Sequence, residues 1–412
     1  MDKPHLLLLS LDCLSQEDLA QLVQMPHFSR LLEEGTLVRD VDSVFLTNTY
    51  VIHTSIITGK SPRDHGIFDN LENHPGNPNP PWHWHRSHIR GTTLYDEARK
   101  SGLKTANILW PVTAGARITW NFPEIFPVGK ENQLLLSLRN GGPFFQLGGY
   151  LRFGKGLRGK HQPELDNFTT RFMIHTLHAK RPNLSLLHLI DTDSHKHKHG
   201  LEDERTRESI ARMDRRIGAL TRAMEQLDKD YSIIIFSDHG ALPVSVTGDP
   251  NDILEAMDFQ VPRKPGDPWN AWFKTCGGTA FLYLKDDVMA RRQELTERLE
   301  AMAGREGSGI RRLLTAEEMD SSGFSTEAVL GLEASIGTEF HDDGTSFQAN
   351  HGYTLDNPGY KVFYFAKGPG VPKGQVLSGG SLLDIAPLSA RLLKIPPWDI
   401  QGRIHPKLTE EE

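Results

Sequence analysis

Apolar residues along this chain gather into short unbroken runs, separated by stretches in which apolar positions recur every three or four residues. Leu6 to Leu11, Lys104 to Leu109, Leu184 to Ile190, Ser232 to Phe236 and Lys361 to Phe365 have the length and continuity of strands buried on both faces. Between two of them, Ile210, Met213, Ile217, Leu220, Met224 and Leu227 mark one side of an amphipathic helix. Other helices are predicted near Thr93, through Ser381 to Ile385, and over Asp286 to Ala303. Strands alternating with helices predict an α/β fold whose mainly parallel central sheet is covered by helices on both faces. Two stretches break the rhythm. Residues 71–91, rich in Pro, His and Trp, read as a loop, and residues 245–350 mix a helix with Gly-rich and acidic segments. The second reads as a small inserted cap within a single catalytic domain spanning residues 1–412.

In open α/β sheets, ligands bind beyond the carboxyl ends of the strands. Asp12 follows the first apolar run, Asp193 and His197 follow the third, and Asp238 and His239 follow the fourth. His351 stands shortly before the last run. A lone strand-end Asp is usually a helix cap, and Asp-His-Gly is often a turn. The joint placement of six such side chains instead makes a coherent ligand set for two transition-metal ions.

Composition narrows the partners. The chain has 412 residues, 38% apolar and 24% charged, which suits a folded globular protein. A formal charge of −7 argues against a nucleic-acid polymer as partner, while a metal-bearing site can still attract a small anion. The run Leu6 to Leu9 is too short for a signal-peptide core or a membrane span, so no membrane partner is expected. Cys13 and Cys276 give no disulfide framework, and a cytoplasmic location is the expectation.

Several motifs then converge. Asp238-His239-Gly240, Asn350-His351-Gly352-Tyr353, and Asp193 followed by His197 and Gly200 are joined by Thr49-Tyr50-Val51-Ile52-His53-Thr54-Ser55-Ile56-Ile57-Thr58-Gly59. Ser61-Pro62, Asp64-His65-Gly66-Ile67, Asn70 and Ile108-Leu109-Trp110-Pro111 complete the set. In this order, from about residue 5 to residue 404, the chain resembles the nucleotide pyrophosphatase/phosphodiesterase branch of the alkaline phosphatase superfamily. The match is weakest over residues 125–175 and 245–345. The resemblance implies an alkaline-phosphatase-like sandwich and two divalent metal ions, zinc in the first place. One ion would be held by Asp193, His197 and His351, the other by Asp12, Asp238 and His239 with the Thr49 oxygen. Thr49 would be the nucleophile on a small anionic phosphorus ester (a phosphodiester, a pyrophosphate or a related ester), passing through a threonyl-phosphoryl intermediate. Asn70 would donate a hydrogen bond to a phosphoryl oxygen, an interaction typically worth about 3 kcal/mol in the transition state. Tyr50 holds the place of an aromatic that stacks on a base, a packed core tyrosine being the alternative. Ile52 departs from the family, which usually has Asn there.

Other readings compete with parts of this. Thr192-Asp193 with His197-Lys198 also looks like phosphonoacetate hydrolase, and an inactive metal-bearing binding protein is the non-enzymatic alternative. Asp191 and His195 offer a second four-residue frame, but only Asp193 and His197 place Gly200 three residues after the His, as the family has it. Gly154-Lys155-Gly156-Leu157-Arg158-Gly159-Lys160 lacks the Ser or Thr of a phosphate-binding loop and reads as a basic surface loop. His83, His85 and His88 read as surface-loop residues rather than a third metal site, and Cys13 as a small packing residue.

Overall fold

The computed structural model describes residues 3–128, 131–324 and 327–408. In chain order the first strands are β1 (Leu6–Leu11), β2 (Thr36–Val41), β3 (Thr105–Ile108), β4 (Trp120–Phe122), β5 (Leu184–Leu189) and β6 (Ser232–Phe236). A middle group follows: β7 (Leu242–Gly248), β8 (Ala271–Thr275), β9 (Thr279–Leu284), β10 (Ile310–Leu314), β11 (Leu330–Ala334), β12 (Gly337–Phe340) and β13 (Ala349–Asn350). The chain then returns through β14 (Val362–Lys367) and β15 (Gln375–Ser378).

The central sheet has eight strands in the order β15-β2-β14-β6-β1-β5-β3-β4. Its pairings are parallel except where β14 runs against β6 and β2. Side chains of a strand alternate between faces, and here both faces are covered. Leu6, Leu8, Ile234 and Phe236 pack with the helices Thr49–Thr58, Leu94–Lys100 and Ile385–Leu393. Leu7, Leu9, Leu11, Ile233 and Ile235 pack on the other side with the helices Glu164–Lys180 and Glu204–Leu227.

The segment after β6 builds a four-stranded sheet, β10-β11-β9-β8, entirely antiparallel. It has its own apolar cluster, including Phe273, Leu282, Leu295, Leu299 and Leu332. A three-stranded sheet, β12-β7-β13, brackets this segment in sequence, with β7 before β8 and β12 and β13 after β11. The expected helix over Asp286 to Ala303 opens as a 3-10 turn, Asp286–Arg291, before becoming α-helical over Arg292–Met302. The helix expected at Ser381 also begins as a 3-10 turn, with Ser381 and Asp384 capping each other's backbone.

The helix Thr49–Thr58 is fixed at its far end. Gly59 turns the chain with φ 69, and a Cβ there would stand 2.5 Å from Ile400. The segment near Ile400 pairs with that end: Gln401 N donates to Gly59 O at 2.8 Å and the Trp398 indole donates to Thr58 O at 2.9 Å. Among the described residues no helix is long and apolar enough to cross a membrane, and both cysteines are free and buried.

Candidate active site

Parallel strands end together, so β1, β5 and β6 deliver their following residues to one edge of the sheet. Asp12, Asp238 and His239 meet there, with ligand-type atoms within 4.8 Å of one another. Asp193, His197 and His351 form a second group under the same limit. Asp193 follows β5 but sits in the first turn of the helix Asp191–His199, where one turn sets its Oδ1 3.2 Å from His197 Nε2.

Each histidine is held the same way. Nδ1 of His239 meets Gly240 O at 3.1 Å, Nδ1 of His197 meets Ala349 O at 2.9 Å, and Nδ1 of His351 meets Thr47 O at 3.0 Å. A carbonyl can only accept, so in each ring Nδ1 carries the proton and Nε2 keeps its lone pair for the centre. Carboxylates are half-fixed likewise. Asp238 Oδ1 accepts from Cys13 N at 3.1 Å and His239 N at 2.9 Å, and Asp12 Oδ2 faces His188 Nε2 at 3.0 Å. The other oxygens, Asp12 Oδ1, Asp193 Oδ1 and Asp238 Oδ2, are buried without a hydrogen-bond partner among the described residues. Buried oxygens of this kind are normally satisfied. Three of them facing three imidazole lone pairs fit a donor set for divalent transition metals.

Charge tells the same story. Burial, reinforced by Asp238 and Asp193, pushes the Asp12 carboxyl well above its ordinary range, and burial lifts Asp238 to about 6. Burial also depresses His239 to about 4 and lowers His351 strongly. For Asp193 burial raises the pKa, but His197 and His351 outweigh it and hold it below the usual range. Burial therefore disfavours the charged forms of Asp12, Asp238, His239 and His351 alike, a penalty that a bound cation would offset for the carboxylates.

Thr49 is the first residue of its helix, and its Oγ1 lies 3.2 Å from His239 Nε2. Amides at a helix N-terminus carry partial positive charge, which favours an anion at this position. Asn70 is pinned through its oxygen, which accepts from Tyr50 N at 2.8 Å, so the NH2 end remains as donor. It lines a cavity of about 510 Å³ with Asn48, Trp82, His197, Lys274 and His351. Tyr50 departs from the stacking expectation. It is 0% exposed, packs at 5.2 Å on Trp82 and is absent from the cavity wall, so it belongs to the core. Ile52, where the family usually has Asn, is likewise buried in that core.

A supporting layer escaped the sequence reading. His188 bridges Asp12 and Glu124, both at 3.0 Å. Asn48 accepts from His351 Nδ1 at 2.8 Å and donates to Asp69 at 2.7 Å, and Asp69 pairs with Lys274 at 3.0 Å. Only strand-end position could have drawn attention to His188; Asn48, Asp69 and Lys274 carry no motif. The competing frame is engaged elsewhere: Asp191 takes Arg212 at 2.7 and 2.9 Å and Arg216 at 2.7 Å, with His195 beside it. Burial pushes the Cys13 thiol up, which suits a packing residue. Lys160 of the basic loop reaches the cavity wall.

This sheet, with a Thr at a helix N-terminus between two His/Asp triads, defines an alkaline-phosphatase-like hydrolase. A family model described as type I phosphodiesterase / nucleotide pyrophosphatase matches residues 6–311, and the chain belongs to that family. Family membership makes it a hydrolase of phosphodiester or pyrophosphate bonds. It is similar to bis(5'-adenosyl)-triphosphatase ENPP4 of Bos taurus, 24% identical over 432 residues, covering 97% of this chain and 80% of that protein. Human ectonucleotide pyrophosphatase/phosphodiesterase family member 1 is 26% identical over 258 residues, 58% of this chain and 24% of that one. Among solved structures, murine ectonucleotide pyrophosphatase/phosphodiesterase 5 in complex with AMP superposes with a TM-score of 0.69 at 18% identity, covering 97% of both chains.

Proposed function

We propose that the chain hydrolyses a small phosphodiester or pyrophosphate through Thr49, with a zinc ion at each triad. The observation that carries this is the Thr49 oxygen at the N-terminus of its helix, 3.2 Å from His239 in the buried triad. Zinc, when bound, would supply the positive charge that makes a hydroxyl a competent nucleophile near neutral pH and offsets charge on the phosphoryl oxygens. Asp12, Asp238 and His239 would hold one ion beside Thr49, and Asp193, His197 and His351 the other. Thr49 Oγ1 attacks phosphorus, forms a threonyl phosphoester and expels the first product; water then cleaves that ester and restores the hydroxyl. Asn70, its oxygen held by the Tyr50 amide, donates its NH2 to a phosphoryl oxygen. With Tyr50 in the core, Trp82, Trp272 and Phe347 are the aromatics of the cavity wall that a base could meet.

The test measures turnover, zinc content and melting temperature on the same samples. Substrates are a bis-ester chromogen, dinucleoside polyphosphates, monoesters and phosphonoacetate. Wild type should turn over diesters or pyrophosphates best. Thr49→Ala should stay folded and zinc-loaded while turnover falls by orders of magnitude. Thr49→Ser should keep part of the rate, since the oxygen remains with a looser rotamer. A stable, zinc-loaded Thr49→Ala with near wild-type rates would end the proposal.

A further inference from the structure

Residues 71–91 contain one carboxylate, Glu72, and four histidines, His74, His83, His85 and His88. The loop folds back on itself. Glu72 N donates to Pro81 O at 2.8 Å, His83 N donates to Asn70 O at 2.9 Å, and Leu71 pairs with Trp82. Glu72 on one arm thereby lies near His83 on the other. The 3-10 turn Arg86–His88 then swings His88 back toward both.

The result is a compact donor set. Glu72, His83 and His88 each offer a ligand-type atom within 4.8 Å of the others. His88 gives an ion one nitrogen: its Nδ1 stands 3.3 Å from His83 Nδ1, while its Nε2, on the other edge of the ring, is the atom 3.8 Å from Glu72 Oε1. Two nitrogens bound tetrahedrally to one zinc, with bonds of about 2.0–2.1 Å, stand about 3.3 Å apart. The active-site triads show the same spacing, 3.2 Å between His197 and Asp193 and 3.4 Å between His239 and Asp12. A supporting residue is also present: His74 Nε2 lies 3.1 Å from Glu72 Oε2, the oxygen that the contact with His88 leaves over. Two histidines and one glutamate form a donor set that zinc accepts.

We infer that Glu72, His83 and His88 form a third divalent-metal site, of the zinc type, separate from both active-site triads. An ion there clasps the two arms of the loop at the rim of the cavity, where Glu72 and Asn70 both line the wall. The rival account is a hydrogen bond in which one imidazole simply donates to the other.

Equilibrium dialysis against zinc chloride, on the whole chain and on His83→Ala/His88→Ala, separates the two. The variant should bind one zinc fewer than wild type. Because the difference is read, the result stands whether or not the triads fill, and Asp193→Asn should still show the third site. Equal zinc content in wild type and variant overturns the inference. Should the double variant fail to fold, modification of wild type by diethylpyrocarbonate decides. Zinc must slow labelling of His83 and His88 while exposed His161 reacts as before, and unchanged labelling of the pair overturns the site.

Discussion

The two triads lie side by side, with the His239 and His351 ring centroids 4.1 Å apart, but are built on different principles. Asp12, Asp238 and His239 hang from the ends of central strands and are at most 3% exposed. Asp193 and His197 ride one turn of a helix beside the cavity and keep partial exposure. In the buried triad, burial raises both carboxyls and no adjacent cation fully offsets it. In the cavity-side triad, the surrounding imidazoles, His197 first, outweigh burial and hold the Asp193 carboxyl below its usual range. The first is fully enclosed, with its carboxyls raised by burial; the second is partly exposed, with its carboxyl held low. Burying like charges costs stability that a bound cation returns, so the sheet edge holds geometry ready at a standing cost to the fold.

If the cavity side supplies contacts to the transition state, Asn70→Ala should lower turnover about a hundredfold, as for a lost oxyanion donor. Zinc content should not change. A variant that melts earlier but keeps its rate would reduce Asn70 to a brace for the Tyr50 amide.

His188→Gln probes the other side, since His188 touches Asp12 directly. Loss of such a supporting residue should weaken zinc binding about 10- to 100-fold. Competition with a chromophoric chelator should show that loss at one equivalent only. Equal weakening of both would mean the triads are not independent.

Stability without metal gives a smaller, signed effect. A carboxyl whose folded pKa exceeds its unfolded value destabilises the fold at pH 7, and Asp238 is lifted to about 6. Asp238→Asn keeps the Oδ1 contacts and removes the charge, so in chelator it should stabilise by about 1–3 kcal/mol. Asp193→Asn should not, because its carboxylate is held below the usual range by His197. Denaturant melts of the chelated proteins compare the two, and identical shifts would erase the distinction.

Near neutral pH the smallest effect lies outside both triads, and it grows only as the solution is acidified. His65 is buried; its Nδ1 accepts from Ile67 N at 3.1 Å and its Nε2 faces Ser55 Oγ at 2.8 Å, so it is held neutral, and burial lowers it to about 3. The unfolded chain takes up a proton near 6.5 that the fold refuses until about 3. Its contribution is therefore present above 6.5 and declines as pH falls toward 3, by about 1.4 kcal/mol per unit. His65→Asn should flatten the slope of stability against pH over that window by one proton.

Much of this was legible in the sequence for a physical reason. Strands buried on both faces are unbroken apolar runs, so β1 and β6 begin and end where the runs do. β2 was missed because Arg39 and Asp40, both exposed, interrupt its pattern. The six candidate ligands stand near strand ends, where topology alone collects them. Their supports do not: Asn48 and His351 are 303 residues apart, and His188 and Glu124 are 64 apart. Pairings across such separations leave no periodicity to read. Tyr50 shows the converse, because a motif position did not reveal that Trp82 shields it from the cavity.

For anyone trimming this protein or fusing a tag to it, the usable boundary is set far from the chemistry. Gln401 ties itself to Gly59, Ser61 and Asp64, and Trp398 caps Thr58, so the stretch that looks like a dispensable tail is the anchor of the helix bearing Thr49. A cut before Pro397 would release the base of that helix, and the oxygen at its tip would lose its aim without any active-site residue having been touched.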